Sequence, residues 1–201
     1  MKKIKIHASE HLIHKLKVHH LLSDFELEDV WRVPVDLKSD HSLKLFMDQF
    51  KKSDDHLFSK SLAGWLFKFR IFLGKIFGWD KKKIHDRLIP GTIRARYASE
   101  NNLAYDDLLH PGTKDFVPVY ELENEFLSEI ENKTVHAAVH FSRVPIKDGV
   151  WGVHMAVYVK PKGLFGRMYM WLIKPFRLWI VYPAMMRAAR EKWNAYLAKS
   201  V

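Results

Sequence analysis

Apolar side chains recur along this chain with two different periods, and the changes of period divide it. Between His11 and Leu22, Leu12, Leu16, His19 and Leu22 lie near helical spacing, which predicts a short helix in an N-terminal segment of residues 1–24. From Val30 to Leu37 the period drops to two. Trp31, Val33, Val35 and Leu37 alternate with Val30, Arg32, Pro34 and Asp36. That pattern predicts a strand, and Pro34, which cannot donate to a ladder, places it at a sheet edge or strand end. Helical spacing returns in Leu43, Phe46, Met47 and Phe50, with Ser42 as N-cap. It returns again from Ser61 to Trp79, where Gly78 is the expected end.

Residues 81–117 show little periodicity. Pro90-Gly91, Asn101-Asn102 and Pro111-Gly112 read as turns, so a long irregular loop is expected. Three strand-like runs follow: Val117 to Ile130, Thr134 to Val144 and Gly149 to Lys160, with Glu131-Asn132-Lys133 as a turn. Val135, Ala137, Val139 and Phe141 form one apolar row, and Val153, Met155, Val157 and Val159 another. Aligning the rows predicts an antiparallel hairpin in which Val139 faces Met155, Phe141 faces Val153, and His140 lies directly opposite His154. From Leu164 onward Phe165, Met168, Tyr169, Leu172, Phe176, Trp179, Pro183 and Met186 fall at three- and four-residue steps. Such a helix would outrun a compact domain of this size, so it must bend or break, and Pro175 and Pro183 are the expected places. Helices and strands that are segregated along the chain argue an α+β class, with a final amphipathic helix laid across an antiparallel sheet in a single domain over residues 1–201.

Composition narrows the chemistry. With 201 residues, 48% apolar and 13% aromatic, the chain has material for a sizeable core. The absence of cysteine excludes disulfides, thiolate metal sites and a cysteine nucleophile, and it fits a cytoplasmic location. No apolar run approaches the length of a spanning helix. The net charge of +10 is concentrated. Lys60 to Lys83 holds seven basic residues against Asp80 alone, and Lys160 to Trp193 holds eight against Glu191 alone. Both segments are rich in aromatics, a combination suited to anionic lipid or an acidic partner, or else to the solvent side of ordinary amphipathic helices. No nucleic-acid recognition motif accompanies the charge, so no nucleic-acid partner is expected.

Three stretches carry a resemblance. Asn132 to His140 and Met155 to Met170, together with Lys174 to Arg187, are similar to the bacterial Domain of Unknown Function family 2867. The match runs from about Phe25 to Trp193. The resemblance implies a helix-grip fold of the START-like, polyketide-cyclase-like kind, in which a curved antiparallel sheet wraps a long C-terminal helix and can leave a cavity for an apolar ligand. It supplies no activity, cofactor or catalytic residues, and neither a cofactor nor a metal is expected.

Candidate sites follow from the patterns. His140, His154 and Tyr158 share one face of the hairpin and could form an acid–base pair with a neighbouring hydroxyl, although the hairpin itself brings no carboxylate to that face. The alternative is a half-wet sheet face. His136 and His140 lie about 13 Å apart along one strand, too far for one metal ion to bridge. Met155, Tyr169, Phe176 and Trp179 could line an apolar pocket. Arg177, with Lys174 beside it on the helix, could pair with a carboxylate ligand. Lys162 and Arg167, in the glycine-containing turn from Lys160 to Arg167, could cradle an anionic headgroup, or the turn could need glycine only for its backbone angles. Trp171, Trp179 and Tyr182 are expected in the core, with interfacial anchoring as the alternative. These residues allow a small hydrophobic or amphipathic ligand held between sheet and C-terminal helix. They also allow a peripheral protein of anionic membrane surfaces, or an enzyme of the cyclase or hydratase kind. The first is favoured, the enzyme least, and the oligomeric state is open.

Overall fold

The computed structural model describes residues 5–51, 88–109 and 116–199. The expected helix from Ser61 to Trp79 and the basic segment from Lys60 to Lys83 lie outside the described residues. Five antiparallel strands form one open sheet: β1 (Glu26–Lys38), β2 (Val117–Glu121), β3 (Glu125–Glu131), β4 (Val135–Lys147) and β5 (Val150–Pro161), in the order β1-β5-β4-β3-β2. The α+β class with a long C-terminal helix is therefore what the chain adopts. β1 is an edge strand, and Pro34 sits where its register with β5 slips, between Val33 and Asp36.

Helices cover both faces of the sheet. On one face lie α3 (Leu43–Lys51), α5 (Gly163–Phe176) and α6 (Tyr182–Lys199). They enclose a core of Trp31, Val33, Phe141, Met155, Met186 and Trp193. On the other face lie α1 (Ala8–Leu12), α2 (Lys17–Leu21) and α4 (Ile93–Glu100). There Val18, Leu21, Ile93 and Tyr97 pack on Val30, Leu127, Ala138 and Ala156. A strand covered on both sides cannot alternate apolar with solvated positions, which is why β5 is buried without interruption from Gly152 to Val159.

Several expectations are corrected. The N-terminal helix is two short helices, with chain between Leu12 and Lys17 joining them. The run from Val117 to Ile130 is two strands, because the chain reverses over Leu122–Asn124 and Tyr120 pairs with Leu127. The hairpin register slides by two residues: Phe141 pairs with Met155, His140 with Ala156, and His154 with Ser142. Aligning apolar rows fixes which face each side chain points to, and this holds, but it does not fix the offset. The offset is set at the tip, where Gly149 adopts φ 67° and the ladder slips between Pro145 and Lys147.

Within the expected loop of residues 81–117, the described part contains α4 and a 3-10 turn at Tyr105–Asp107. Thr92 caps α4, its hydroxyl accepting the Ala95 amide. The carboxylate of Glu129, from the distant β3, accepts the amides of Ile93 and Arg94 at 2.8 and 3.0 Å. A cap supplied from another part of the chain leaves no local periodicity to read.

Other expectations hold. Ser42 accepts the Leu45 amide at 3.1 Å. Asn132 makes the predicted turn by accepting from the amides of Thr134 and Val135 and from the Thr134 hydroxyl. The C-terminal helix is interrupted between its two prolines by a π-helical turn, Arg177–Val181, whose wide bond runs from the Tyr182 amide to the Arg177 carbonyl.

Candidate functional site

Two arrangements collect the chemistry. The first is the outer face of α5. Gly163 turns the chain out of β5 with φ 66°, and the Lys162 amide donates to the Thr134 carbonyl at 2.8 Å. At Gly166 the helix backbone comes so close to β4 that a Cβ would stand 2.2 Å from the Thr134 oxygen. That approach, with Tyr169 and Met170 buried behind it, sets which side of α5 faces the sheet. The opposite side carries Leu164, Met168, Trp171 and Leu172, which fall within an arc of about 100°. Leu164 is 84% exposed and Trp171 74%. Trp179, in the π turn, is 77% exposed. The expectation that Trp171 and Trp179 join the core is thus overturned, because the sheet takes only one side of the helix; Tyr182 does lie in the core.

Cations flank this apolar face. Arg167 and Lys174 lie about 40–60° beyond Trp171 around the helix, and both are exposed. Lys174 pairs with Glu28 on β1 at 3.2 Å, and Arg177 shares the same carboxylate oxygen at 3.0 Å. Lys162 pairs with Glu131. Between α5 and the strands is a cleft of about 180 Å³, lined by Glu26, Glu28, Val159, Arg167, Met170 and Lys174 among others.

The second arrangement is buried on the far side of the sheet. Tyr120 on β2, Glu125 on β3, His140 on β4 and Tyr158 on β5 meet beneath α1 and α2. Glu125 accepts from the amides of Lys17 at 2.8 Å and Val18 at 3.3 Å, from the Tyr120 hydroxyl at 3.0 Å, and from His140 Nε2 at 3.1 Å. Burial pushes the Glu125 carboxyl up, but the hydrogen bonds from His140 and the two amides outweigh it and leave it below its ordinary value. Burial pushes His140 down against the pull of Glu125. The pair is therefore a carboxylate and a neutral imidazole that donates its Nε2 proton, which leaves Nδ1 as a buried acceptor without a partner. His19 Nδ1 lies 3.1 Å from the Tyr158 hydroxyl. Four residues along β3, Glu129 holds His136 Nε2 at 2.8 Å.

The sheet separates the residues expected from the sequence. His140, His154 and Tyr158 lie buried on the side of α1 and α2, so that face is not half-wet. Met155 and Tyr169 lie in the core on the other side. Phe176, Trp179, Lys162, Arg167 and Lys174 are at the surface of the C-terminal helix, and Arg177 is half-buried against Glu28. His11, His19, Tyr120, Glu125 and Glu129 were not among the expected residues. Glu125 and Glu129 were legible in principle, since residues four apart on one strand share a face. Five of the twelve histidines also fall between His7 and His20. Among the described residues no group of three or more His, Asp or Glu is arranged to hold a metal ion, and no helix is long and apolar enough to cross a membrane.

Comparison with known proteins gives one match. The family described as "Protein of unknown function (DUF2867)" matches residues 21–184. No curated protein and no solved structure is found to match the chain.

Proposed function

We propose that this chain, which belongs to that family of proteins of unknown function, is a peripheral membrane protein that rests α5 on an anionic lipid surface. The observation that carries this is the outer face of α5, where Leu164, Met168, Trp171 and Leu172 stand exposed side by side and Trp179 continues the face. Isolated exposed apolar side chains are ordinary, but a contiguous row on one helix is a mark of an interaction surface. Lipid suits it because of what flanks it. Lys162, Arg167 and Lys174 lie within reach of headgroups, while indole rings favour the boundary between headgroup and acyl chain. The eight basic residues from Lys160 to Trp193 add long-range attraction to an anionic leaflet. Such a protein would act at the cytoplasmic side of a membrane.

The test is flotation with vesicles of zwitterionic lipid alone and with vesicles enriched in phosphatidylglycerol. Binding is expected on the anionic vesicles, weakening as salt screens the charges, and falling several-fold in the double variant Leu164→Ser, Trp171→Ser. No enrichment on anionic vesicles at low salt, or binding indifferent to that double variant, overturns the proposal.

A second reading, a helix-grip protein with a small amphipathic ligand between sheet and C-terminal helix, is supported by the cleft of about 180 Å³. There Arg167 and Lys174 stand over Val159 and Met170, though Glu26 and Glu28 add negative charge. The space deeper between the sheet and α6 is occupied by Met155, Tyr182, Met186 and Trp193. Native mass spectrometry with an environment-sensitive lipid probe separates the two readings. A stoichiometric bound amphiphile favours the cleft, and uptake only in the presence of vesicles favours the surface. The enzyme reading gains nothing from the geometry, since His140 is 0% exposed and neither it nor His154 lines that cleft.

A further inference from the structure

Helices of five residues do not hold themselves. α1 and α2 are each that length, and they are held by His11 against His140, by Val18 and Leu21 in the core on that face, and by Glu125 accepting the first amides of α2. Beneath them lies a layer of imidazoles. The His11 ring is fully buried. Its centroid is 5.2 Å from that of His19, 5.6 Å from His140 and 5.8 Å from His154, while His14 lies 5.7 Å from His154. Neither nitrogen of His11 has a hydrogen-bond partner, nor do Nε2 of His19 and Nδ1 of His140 and of His154. Other titratable or charged groups face this layer from every element packed on it. They are Glu10 from α1, Arg32 from β1, Tyr120 from β2, Glu125 from β3 and Tyr158 from β5. Among the described residues Glu125 is the carboxylate that hydrogen-bonds one of these rings, and its other donors are already fixed. His11 and His154 have no carboxylate hydrogen-bonded to them.

We infer that residues 5–22 form an acid-released latch, in which protonation of the imidazole layer lifts α1 and α2 from the sheet while the five strands stay paired. The imidazoles of His19, His140 and His154 packed around His11 can lie together as neutral groups, but several imidazoliums at these separations, away from water and with Glu125 already engaged and Glu10 as the other facing carboxylate, repel strongly. Burial holds His11 down to about 2 and His154 down to about 4, with the neighbouring histidines adding to it. In the lifted state water reaches the rings and they titrate near 6.5. The docked state is therefore fully favoured above about pH 6.5, and each histidine held neutral shifts the balance toward release about ten-fold per pH unit below it. The core on the opposite face, around Met155, Met186 and Trp193, has no fully buried histidine among the described residues; His41 packs at its rim, its ring 5.1 Å from that of Trp193.

Hydrogen exchange of the full chain from about pH 7 to about pH 4.5, corrected for the intrinsic pH dependence, tests this. Amides of α1 and α2 are expected to lose protection at least ten-fold while those of β4 and β5 keep theirs. His11→Leu is expected to move the release midpoint down by about half a unit or more, and His154→Gln in the same direction. Three results overturn the latch. One is retained protection of α1 and α2 at the acid end. Another is loss of protection in helices and sheet together at one pH. The third is an unchanged midpoint in the variants. Should His11→Leu fail to fold, the exchange of the unaltered protein and of His154→Gln decides the question alone.

Discussion

Glu125 and Glu129 stand four residues apart on β3, and each carboxylate closes the amino end of a different helix while holding a histidine of β4. Glu125 takes the amides of Lys17 and Val18 with His140, and Glu129 takes those of Ile93 and Arg94 with His136. The diagonal is the same in both cases: Glu125 pairs across the ladder with Ser142 and Glu129 with Ala138, and the histidine lies two residues before that partner. One repeated device thus ties α2 and α4 to the same strand.

Because Glu129 is buried with three donors pointing at it, Glu129→Ala leaves two amides and a ring nitrogen unsatisfied. A loss of about 3 kcal/mol is expected from urea unfolding, with a local rise in hydrogen exchange over Ile93–Glu100. A change below about 0.5 kcal/mol would show that water replaces the carboxylate without cost.

Gly166→Ala places a methyl group against the Thr134 carbonyl, which belongs to the backbone and cannot swing aside. Thermal unfolding should register about 1–3 kcal/mol of destabilisation, the usual cost of overpacking. Retention of full stability would mean that α5 can ride up on the sheet freely.

Leu164→Ser and Trp171→Ser should each leave stability within about 0.5 kcal/mol of the parent, since both side chains are mostly exposed. Chemical denaturation of the two variants checks this. A large loss would assign these residues a packing role within the chain, and with it remove the α5 surface from consideration as a lipid face.

Burial pushes Tyr182 up to about 12 and raises Tyr120 and Tyr158 as well. A raised tyrosine contributes stability that is present below its unfolded value near 10 and is lost as pH rises toward the folded value. In a phenolate absorbance titration, the native protein should therefore ionise fewer of its seven tyrosines near pH 11 than the protein in guanidinium. Ionisation of all seven at the ordinary value would contradict the burial.

The helices and strands that bury a simple stripe could be read from residue order. Phe46 and Met47 announce α3, and the rows through Phe141 and Met155 announce the β4–β5 hairpin with the correct faces. What escaped depends on contacts between distant parts of the chain. α4 is started partly by Glu129, so its own residues show little periodicity. The hairpin offset depends on one slipped residue near Pro145, which no apolar row reports. The histidines of β4 and β5 could be seen to share a face, but the partner that fixes His140 comes from β3 and the lid over it from the N-terminus. On α5, aromatic spacing could not distinguish an inward stripe from an outward one. Gly166, whose missing side chain lets the helix touch the sheet on that side, makes the difference.

The π turn between Pro175 and Pro183 has a consequence for phase. Along an uninterrupted α-helix, the inward positions of α5 (Gly166, Tyr169, Met170) and of α6 (Met186, Ala189, Trp193) would point roughly 180° apart at about 100° per residue. The one additional residue of a π turn rotates everything after it back by about 100°. That rotation is what allows a single rod to grip β5 with its first half and β1 with its second. The stretch Arg177–Val181 therefore sets the phase of two faces: losing one residue would close the wide turn to an ordinary helical one with Trp193 still in its seat, whereas losing two would roll Trp193 out of it or Trp171 into the sheet, whatever residues remained.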